Sequence, residues 1–325
     1  MRRREFITLV GGAAAAWPLV VHAQQPAKGM LRVGTVSAVQ QSSPQWVAFM
    51  RRMAELGYEE GKTFTFDFVQ AGNEEEYERG YRILAARELD IILATGPELA
   101  LKSAIAATRI LPIVMIAIDY DPFARGYVTS LARPSGNVTG VFFQQTELTV
   151  KRVQLVRDAF PDVSAATMFW DRLSADQWQA AQNAATTVGL RLFGIELRAP
   201  PYDYERALLD APPDHRGMLI VATSPFFFRD RAQIADFAFR QRIASVFVFR
   251  EWVDAGGLLS YGPSLAAQFM RVAEFVDRIA HGAKPADLPI EQPTKFELVI
   301  NLKTAKAIGI APSTAILLRA DEVIE

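Results

Sequence analysis

The stretch Pro112-Ile113-Val114-Met115-Ile116-Ala117-Ile118 decides the fold class of this chain. Every residue after the proline is apolar, whereas a strand with one solvated face would alternate apolar and polar residues. A second run of the same kind, Asp90-Ile91-Ile92-Leu93-Ala94, precedes it. Continuous apolar runs of this length predict strands that are covered on both faces, as in a parallel sheet flanked by helices.

Strand and helix patterns alternate on both sides of this stretch. Trp46, Phe49 and Met53 recur at helical spacing, and Gly57 is placed to end that helix. The pattern predicts strands over residues 31–36 and 63–69, a helix that starts at Glu74 and a helix over residues 98–108.

The same alternation restarts near residue 148. It predicts helices over residues 148–160, 174–188, 202–210, 229–240 and 265–281, and strands over 165–169, 190–197, 217–222 and 245–249. Two successive sets of similar size predict an α/β chain with two Rossmann-like lobes, each a doubly wound parallel sheet.

The first residues have the composition of an export signal. Arg2-Arg3-Arg4 gives a basic start, residues 6–21 form a weakly apolar run, and Val21-His22-Ala23 fits a cleavage site. We therefore expect residues 1–23 to be a cleaved signal peptide and the protein to be periplasmic. The arginine pair resembles a twin-arginine signal, and general secretory export remains open. An uncleaved anchor is disfavoured, because a spanning helix needs about 20 mostly apolar residues.

Composition excludes several classes of protein. The chain has 325 residues, half of them hydrophobic, a formal net charge of −1 and no cysteine. A nearly neutral chain without basic runs is not expected to bind nucleic acid. Without cysteine there are no disulfides and no lipoprotein anchor, so we expect a soluble, monomeric protein held together by packing alone.

Residues suited to catalysis are scarce. Beyond the leader the histidines are His215 and His281, and no phosphate-binding glycine loop is found. A serine or cysteine triad and a histidine-rich zinc site are therefore not expected, nor is any metal or cofactor. Asp119 and Asp121 are the carboxylate pair that keeps an exported hydrolase open as an alternative. We expect a binding protein and not an enzyme.

Several motifs resemble those of one family. The longest is Glu291-Gln292-Pro293-Thr294-Lys295-Phe296-Glu297-Leu298-Val299-Ile300-Asn301-Leu302-Lys303-Thr304-Ala305-Lys306-Ala307. Shorter ones are Gly136-Asn137-Val138-Thr139-Gly140, Phe249-Arg250-Glu251 and the segments 256–264 and 282–289. The chain resembles the ABC-transporter substrate-binding proteins related to tryptophan and tyrosine uptake systems, from about Leu31 to Glu325.

The resemblance implies a type I periplasmic-binding-protein fold, in which a hinge of three crossings joins two lobes and ligand binds between them. The expected first lobe is residues 30–144 plus 258–290, and the second is 145–257 plus 291–325. The implied partners are a small-molecule ligand and an ABC permease of the inner membrane. A ligand-sensing subunit for a membrane receptor remains an alternative.

Candidate ligand-binding residues follow from a rule of open α/β sheets, in which ligands bind at the carboxyl ends of the strands. In the first lobe the rule selects Ser37, Gln40, Thr95, Gly96, Asp119, Tyr120 and Asp121. In the second lobe it selects Trp170, Asp171, Ser224, Phe226, Arg250 and Tyr261.

Three of these residues also have a purely structural interpretation. Thr95 is equally suited to cap a helix, Asp121 to start a turn and Arg250 to pair with Glu251. If they bind ligand, an aspartate would hold an ammonium group and Arg250 a carboxylate. Aromatic residues and mixed charge together favour a zwitterionic or anionic ligand with a flat apolar part, such as an aromatic amino acid or aromatic acid.

Overall fold

The structure is a computed structural model that describes residues 29–134 and 136–325. The predicted signal peptide, residues 1–23, lies outside the described residues. No helix in the described ranges is both long and apolar enough to cross a membrane.

The first sheet contains the continuous apolar stretch at residues 112–118. Its five strands are all parallel and follow the order β2-β1-β3-β4-β5. The strands are β1 (Leu31–Ser37), β2 (Phe64–Gln70), β3 (Ile91–Gly96), β4 (Ile113–Ala117) and β5 (Val138–Phe142). The helices between them are α1 (Pro44–Glu55), α2 (Glu74–Ala85) and α3 (Glu98–Ala107).

Local sequence explains these elements. All five residues of β4 are buried, as a strand covered on both faces requires. Helix α2 begins where the Asn73 side chain accepts a hydrogen bond from the Glu76 amide at 3.0 Å. Its first turn holds three glutamates, which complement the helix dipole.

The second sheet repeats the order of the first and then extends it. Its strands run β12-β11-β10-β9-β8-β6-β7, and β6 to β10 reproduce the arrangement of β1 to β5. They are β6 (Ala165–Trp170), β7 (Arg191–Glu196), β8 (Met218–Val221), β9 (Ala244–Phe247), β10 (Leu259–Gly262), β11 (Glu297–Asn301) and β12 (Glu322–Ile324). Only the β10–β11 pair among these is antiparallel, so the predicted pair of doubly wound α/β lobes is confirmed.

Nine helices are described from residue 145 onward. Seven lie in the lobe of the second sheet: α4 (Gln145–Ala159), α5 (Ala175–Val188), α6 (Tyr204–Leu208), α7 (Pro225–Arg229), α8 (Arg231–Arg240), α9 (Arg250–Asp254) and α11 (Leu302–Ile308). An eighth, α12 (Thr314–Leu317), packs against α4 in the same lobe, and the remaining helix is α10 (Leu265–Ala280). The helix predicted over residues 202–210 is only five residues long. The helix predicted over 229–240 is α8, which begins at Arg231 after the separate short helix α7.

The chain passes between the lobes three times. It leaves the first sheet after β5, leaves the second sheet between β10 and α10, and returns to it after Glu291, whose amide bonds to Gly140 at 2.9 Å. Helix α10 packs against α1 of the first lobe. The strand β10, however, pairs with β9 of the second sheet, although we expected residues from 258 onward in the first lobe. A four-residue strand is too short to reveal its partner in the sequence.

Aromatic packing fixes α10 to the first lobe. The ring of Trp46 on α1 lies 4.7 Å from the ring of Phe269 on α10, edge to face. Trp46 also contacts Phe66 and Phe68 on β2, at 5.4 and 5.7 Å. Because Trp46 and Phe49 are fully buried, α10 covers an apolar surface that α1 alone would leave exposed.

The backbone of β5 requires glycine at position 140. Its φ is +136°, and a Cβ there would lie 2.1 Å from the carbonyl oxygen of Met115. We expect Gly140→Ala to lower the free energy of unfolding by more than about 2 kcal/mol in urea titrations. The control is Gly217→Ala, because Gly217 has open space around it, and a change within about 0.5 kcal/mol is expected there. Equal stabilities of the two variants would contradict the assignment.

Candidate functional site

A cleft lies between the two lobes at the carboxyl ends of both sheets. In each sheet the strand order reverses at one point, between β1 and β3 and between β6 and β8. Ligands of open α/β sheets bind at such points. The cleft has an inner cavity of about 550 Å³ including its open mouth, to which both lobes contribute. Its lining is Ser37, Ala38, Val39, Gln45, Tyr77, Thr95, Gly96, Pro97, Ile118, Asp119, Thr223, Ser224, Pro225, Phe228, Phe249, Leu265 and Phe269.

One side of the inner cavity is an aromatic and aliphatic wall. Phe228 and Phe249 come from the second lobe, with their rings 6.0 Å apart and nearly perpendicular. Phe269 and Leu265 come from α10, and Ile118 follows β4. This surface would bury the flat apolar part of a ligand, which gains roughly 25 cal/mol for each Å² removed from water.

Asp119 is the charged group that the first lobe brings to the inner cavity. Its side chain is buried, and one carboxylate oxygen accepts a hydrogen bond from the Glu98 amide at 3.2 Å. The amino end of α3 is thus capped by Asp119 and not by Thr95. Burial raises the pKa of Asp119 well above its usual range, and the negative charge of Asp171 raises it further.

Asp171 is the corresponding acid of the second lobe, directly after β6. Its carboxylate accepts hydrogen bonds from the Leu173 amide at 3.0 Å, from the Ser174 hydroxyl at 2.9 Å and from the hydroxyl of Ser224. Burial raises the pKa of Asp171, and these donors oppose the rise. Its hydrogen bonds hold the carboxylate in one orientation.

Asp119 has no basic side chain beside it in the inner cavity, whereas Arg172, Arg198 and Arg229 line the outer cavity together with Asp171. None of the described residues that line the inner cavity is a lysine or an arginine. Gln45 Oε1 and Thr223 Oγ1, on residues of the same lining, are buried and find no hydrogen-bond partner among the described protein atoms. The site is therefore suited to a ligand that brings a positive charge and hydrogen-bond donors.

Backbone geometry beside Asp119 brings the amino end of a helix to the cavity. Gly96 has a φ of +98°, which only glycine adopts without strain, and the chain turns there into α3. The first amide of α3, that of Glu98, already donates to the Asp119 carboxylate. Helix amino ends attract negative groups such as a carboxylate.

An outer cavity adjoins the inner one and shares Ala38, Tyr77, Pro97 and Pro225 with it. It encloses about 950 Å³ including open solvent. Its other lining residues are Gly72, Asn73, Glu74, Leu99, Asp171, Arg172, Leu173, Leu197, Arg198, Pro200, Tyr202, Phe226 and Arg229. It therefore connects the inner cavity with solvent.

Seven of the thirteen predicted site residues line this cleft. Ser37, Thr95, Gly96, Asp119 and Ser224 line the inner cavity, and Asp171 and Phe226 line the outer one. These residues follow β1, β3, β4, β6 and β8, so the strand-end rule brings residues of both lobes together.

Two predicted residues after β4 serve local structure instead. Asp121 accepts hydrogen bonds from the amides of Phe123 and Ala124, at 2.8 and 3.0 Å, and so starts a turn. Tyr120 is buried against Tyr127, with ring centroids 6.2 Å apart. Asp119 and Asp121 thus have separate hydrogen-bond partners and do not form a shared carboxylate pair.

Arg250 and Gln40 also lie outside the lining of both cavities. The Arg250 guanidinium pairs with Glu322 at 3.1 Å and approaches Asp254 at 3.5 Å, whereas the sequence suggested Glu251 as the structural partner. Gln40 is exposed. Arg250 is the first residue of α9, and its side chain reaches β12 at the edge of the second sheet.

Trp170 and Tyr261 stack on other aromatic rings. The indole of Trp170 lies parallel to that of Trp178 at 6.0 Å, and Tyr261 stacks on Phe296 at 5.9 Å. Tyr261 belongs to β10, near the second and third crossings between the lobes. Neither side chain lines the two cavities.

Some lining residues were not among the candidates. Tyr77 on α2 and Gln45 on α1 come from helices, as does Phe269 on α10, and the strand-end rule does not select helical residues. Phe228 also lines the cavity, whereas its neighbour Phe227 is fully buried.

An ion pair joins the lobes at the edge of the cleft. Arg125, in the turn after β4, pairs with Asp176 on α5 at 2.8 Å and lies 3.6 Å from Glu98. Both partners of the inter-lobe pair are about half exposed. In the described ranges, no group of three or more potential metal-ligating acids or histidines is found.

Two doubly wound lobes with a ligand-sized cleft at their facing strand ends define the type I periplasmic-binding-protein fold. The family model for ABC transporter substrate binding proteins matches residues 48–324. The chain belongs to this family.

Known proteins agree with this assignment. A tyrosine-binding protein from Clostridioides difficile strain R20291 is 22% identical over 284 residues, which cover 82% of this chain and 77% of that protein. A conserved domain protein from Vibrio cholerae O1 biovar eltor has a TM-score of 0.81 at 21% identity, covering 90% of this chain and 99% of that one. The ABC domain from Streptococcus pneumonia, in complex with L-Trp, has a TM-score of 0.79 at 22% identity, covering 91% and 100%.

The buried acid of the first lobe predicts a pH effect on the ligand-free protein. Because the pKa of Asp119 is raised in the folded state, its contribution to stability is present below the unfolded pKa of about 3.9. That contribution is lost as the pH rises through the folded pKa. We expect Asp119→Asn to be more stable than the wild type at pH 8, with a smaller difference at pH 4, in urea titrations.

The control is Asp210→Asn, which removes an exposed carboxylate on the second lobe. It should follow the wild-type pH profile. An Asp119→Asn variant that is less stable than the wild type at pH 8, and by more than at pH 4, would mean that the carboxylate is needed as a charge in the ligand-free fold.

Proposed function

We propose that this protein is the periplasmic substrate-binding component of an ABC importer and that it binds an aromatic amino acid in the inter-lobe cleft. The observation that carries the proposal is the pair of buried acids, Asp119 and Asp171, one on each lobe. No lysine or arginine lies beside Asp119 on the described lining of the inner cavity, and the arginines near Asp171 belong to the outer cavity. A ligand ammonium group would supply the missing positive charge.

The remaining chemistry of the cavity fits the rest of such a ligand. The wall of Phe228, Phe249 and Phe269 suits an aromatic side chain. The family membership and the names of the relatives, which include a tyrosine-binding protein and a domain in complex with L-Trp, support this ligand class.

The mechanism is hinge closure. A ligand that bridges Asp119 and Asp171 contacts both lobes only when they are closed, so binding shifts the population toward the closed form. Closure brings the lobe surfaces into the relative position that the permease of the inner membrane recognises. The protein performs no covalent step, and its residues serve to bind and to enclose the ligand.

Export completes the proposed role. Residues 1–23 direct the chain across the inner membrane and are removed, and the mature monomer meets its ligand in the periplasm. The absence of cysteine in the sequence fits a fold that needs no disulfide formation after export.

A ligand screen tests the proposal. The mature protein is unfolded to strip any bound solute, refolded, and heated with L-tyrosine, L-tryptophan, L-phenylalanine, L-leucine and the deaminated aromatic acids. An aromatic amino acid should raise the melting temperature saturably, with about 2.7 kcal/mol of stabilisation at a hundredfold excess over Kd. The matching deaminated acid should bind at least tenfold more weakly, because it leaves the buried acids without a cation.

Variants of the acids sharpen the same test. Asp119→Asn and Asp171→Asn should each weaken calorimetric affinity for the amino acid by at least about tenfold, whereas Asp210→Asn should leave it unchanged. An unchanged affinity in both acid variants would mean that neither acid binds a ligand ammonium group. Binding of the deaminated acid in preference to the amino acid would reverse the assigned charge of the ligand.

The inter-lobe ion pair predicts a smaller effect on closure. Arg125→Ala should weaken ligand affinity by about two- to fivefold, mainly through faster dissociation, since an exposed pair contributes at most about 1 kcal/mol. The loss should shrink at high salt, because exposed charges are screened. Arg240→Ala is the matched control, since Arg240 pairs with Asp236 and Glu205 inside the second lobe. Stopped-flow dissociation rates that are equal in the two variants would exclude a role in closure.

A further inference from the structure

Arg152 on α4 is a fully buried arginine, with a relative exposure of 0%. A guanidinium stays protonated in proteins and is seldom fully buried without a carboxylate partner. Removing such a charge from water costs several kcal/mol, which an opposite charge nearby must offset.

The protein groups around Arg152 do not offset its charge. Its Nη1 donates to Gln145 Oε1 at 3.3 Å and its Nη2 donates to Thr149 Oγ1 at 2.7 Å, and both acceptors are neutral. None of the ion pairs found among the described residues includes Arg152. Burial lowers the pKa of Arg152 to about 9, and no acidic neighbour raises it again.

Unused donors surround the same charge. Arg152 Nε and Gln145 Nε2 are buried, and neither has an acceptor among the described protein atoms. Buried donors in native proteins are nearly always paired, with protein, water or an ion. The cluster of Gln145, Thr149 and Arg152 therefore combines one full positive charge with an excess of donors over acceptors.

We propose that Gln145, Thr149 and Arg152 form a closed binding site for a chloride-sized inorganic anion inside the second lobe. A monovalent anion accepts hydrogen bonds from N–H groups in several directions and neutralises the guanidinium charge. A water molecule would accept hydrogen bonds from the same donors but would not neutralise that charge. All three side chains are buried, so the proposal is for a small inorganic ion and not for an organic acid.

The position of the site gives it a structural role. Helix α4 begins directly after the first crossing between the lobes and packs against α5, β9 and β10. None of the three residues lines the two cavities of the cleft. The anion thus stabilises the second lobe whether or not the cleft is occupied, and this site does not depend on the proposed transport ligand.

Halide-dependent stability tests the proposal. The ligand-stripped mature protein is heated in sodium gluconate, with chloride or bromide replacing gluconate at constant ionic strength. We expect a saturable rise in melting temperature of about 2–4 °C once the halide reaches roughly tenfold its Kd. Identical melting temperatures in gluconate and in either halide would overturn the proposal.

Variants separate this site from general salt effects. Arg152→Met removes the charge and should abolish the halide-dependent rise. Lys151→Met removes a charge from the adjacent, exposed position of α4 and should retain the full rise. A halide response that persists in Arg152→Met would contradict the assignment.

Two further measurements cover an Arg152→Met variant that does not fold. Gln145→Glu keeps an acceptor for Arg152 and replaces the unused donor by a negative charge, so it should abolish the halide-dependent rise. In crystals grown with bromide, anomalous density should lie within hydrogen-bond distance of the Arg152 guanidinium. Ordered water at that place in the presence of bromide would mean that water and not an anion satisfies the donors, and it would overturn the proposal.

Discussion

The site depends on two buried acidic side chains, Asp119 and Asp171, which lie on opposite sides of the cleft. Asp119 and Asp171 stand on separate lobes, and burial raises the pKa of each carboxyl group. In the first lobe Asp119 also receives the Glu98 amide, so the carboxylate belongs to the fold as well as to the site. In the proposed mechanism, a closed cleft with this pair is costly until a positive charge enters, which links closure to ligand binding.

Much of the fold was predictable from the sequence, because continuous apolar runs such as that of β4 have few alternatives to a doubly covered parallel strand. The short elements were not predictable from the sequence. The strand β10 has four residues and pairs in the second sheet, while the helix that follows it packs on the first lobe. Such a change of lobe depends on tertiary contacts, which local propensity does not encode.

The site was predictable to the extent that it lies at strand ends. Asp119, Asp171 and Ser224 directly follow strands or lie within a few residues of their ends, and all three line the cleft. Tyr77 and Phe269 reach the cavity from helices, where a buried aromatic residue has the same sequence pattern as core. Arg250 has the right position after β9, but Glu322 from the distant carboxyl-terminal strand β12 holds its guanidinium instead. Pairing partners so far apart in sequence are decided by the whole fold.

The return of α10 to the first lobe makes that lobe discontinuous in the gene. A fragment ending near residue 144 would contain the five parallel strands but would leave Trp46 without the ring of Phe269 against it. It would also lack the Glu291 backbone that pairs with β5. The first lobe is therefore not an autonomous module, and neither is the segment between residues 145 and 262, because β11 and β12 complete its sheet from the far end of the chain.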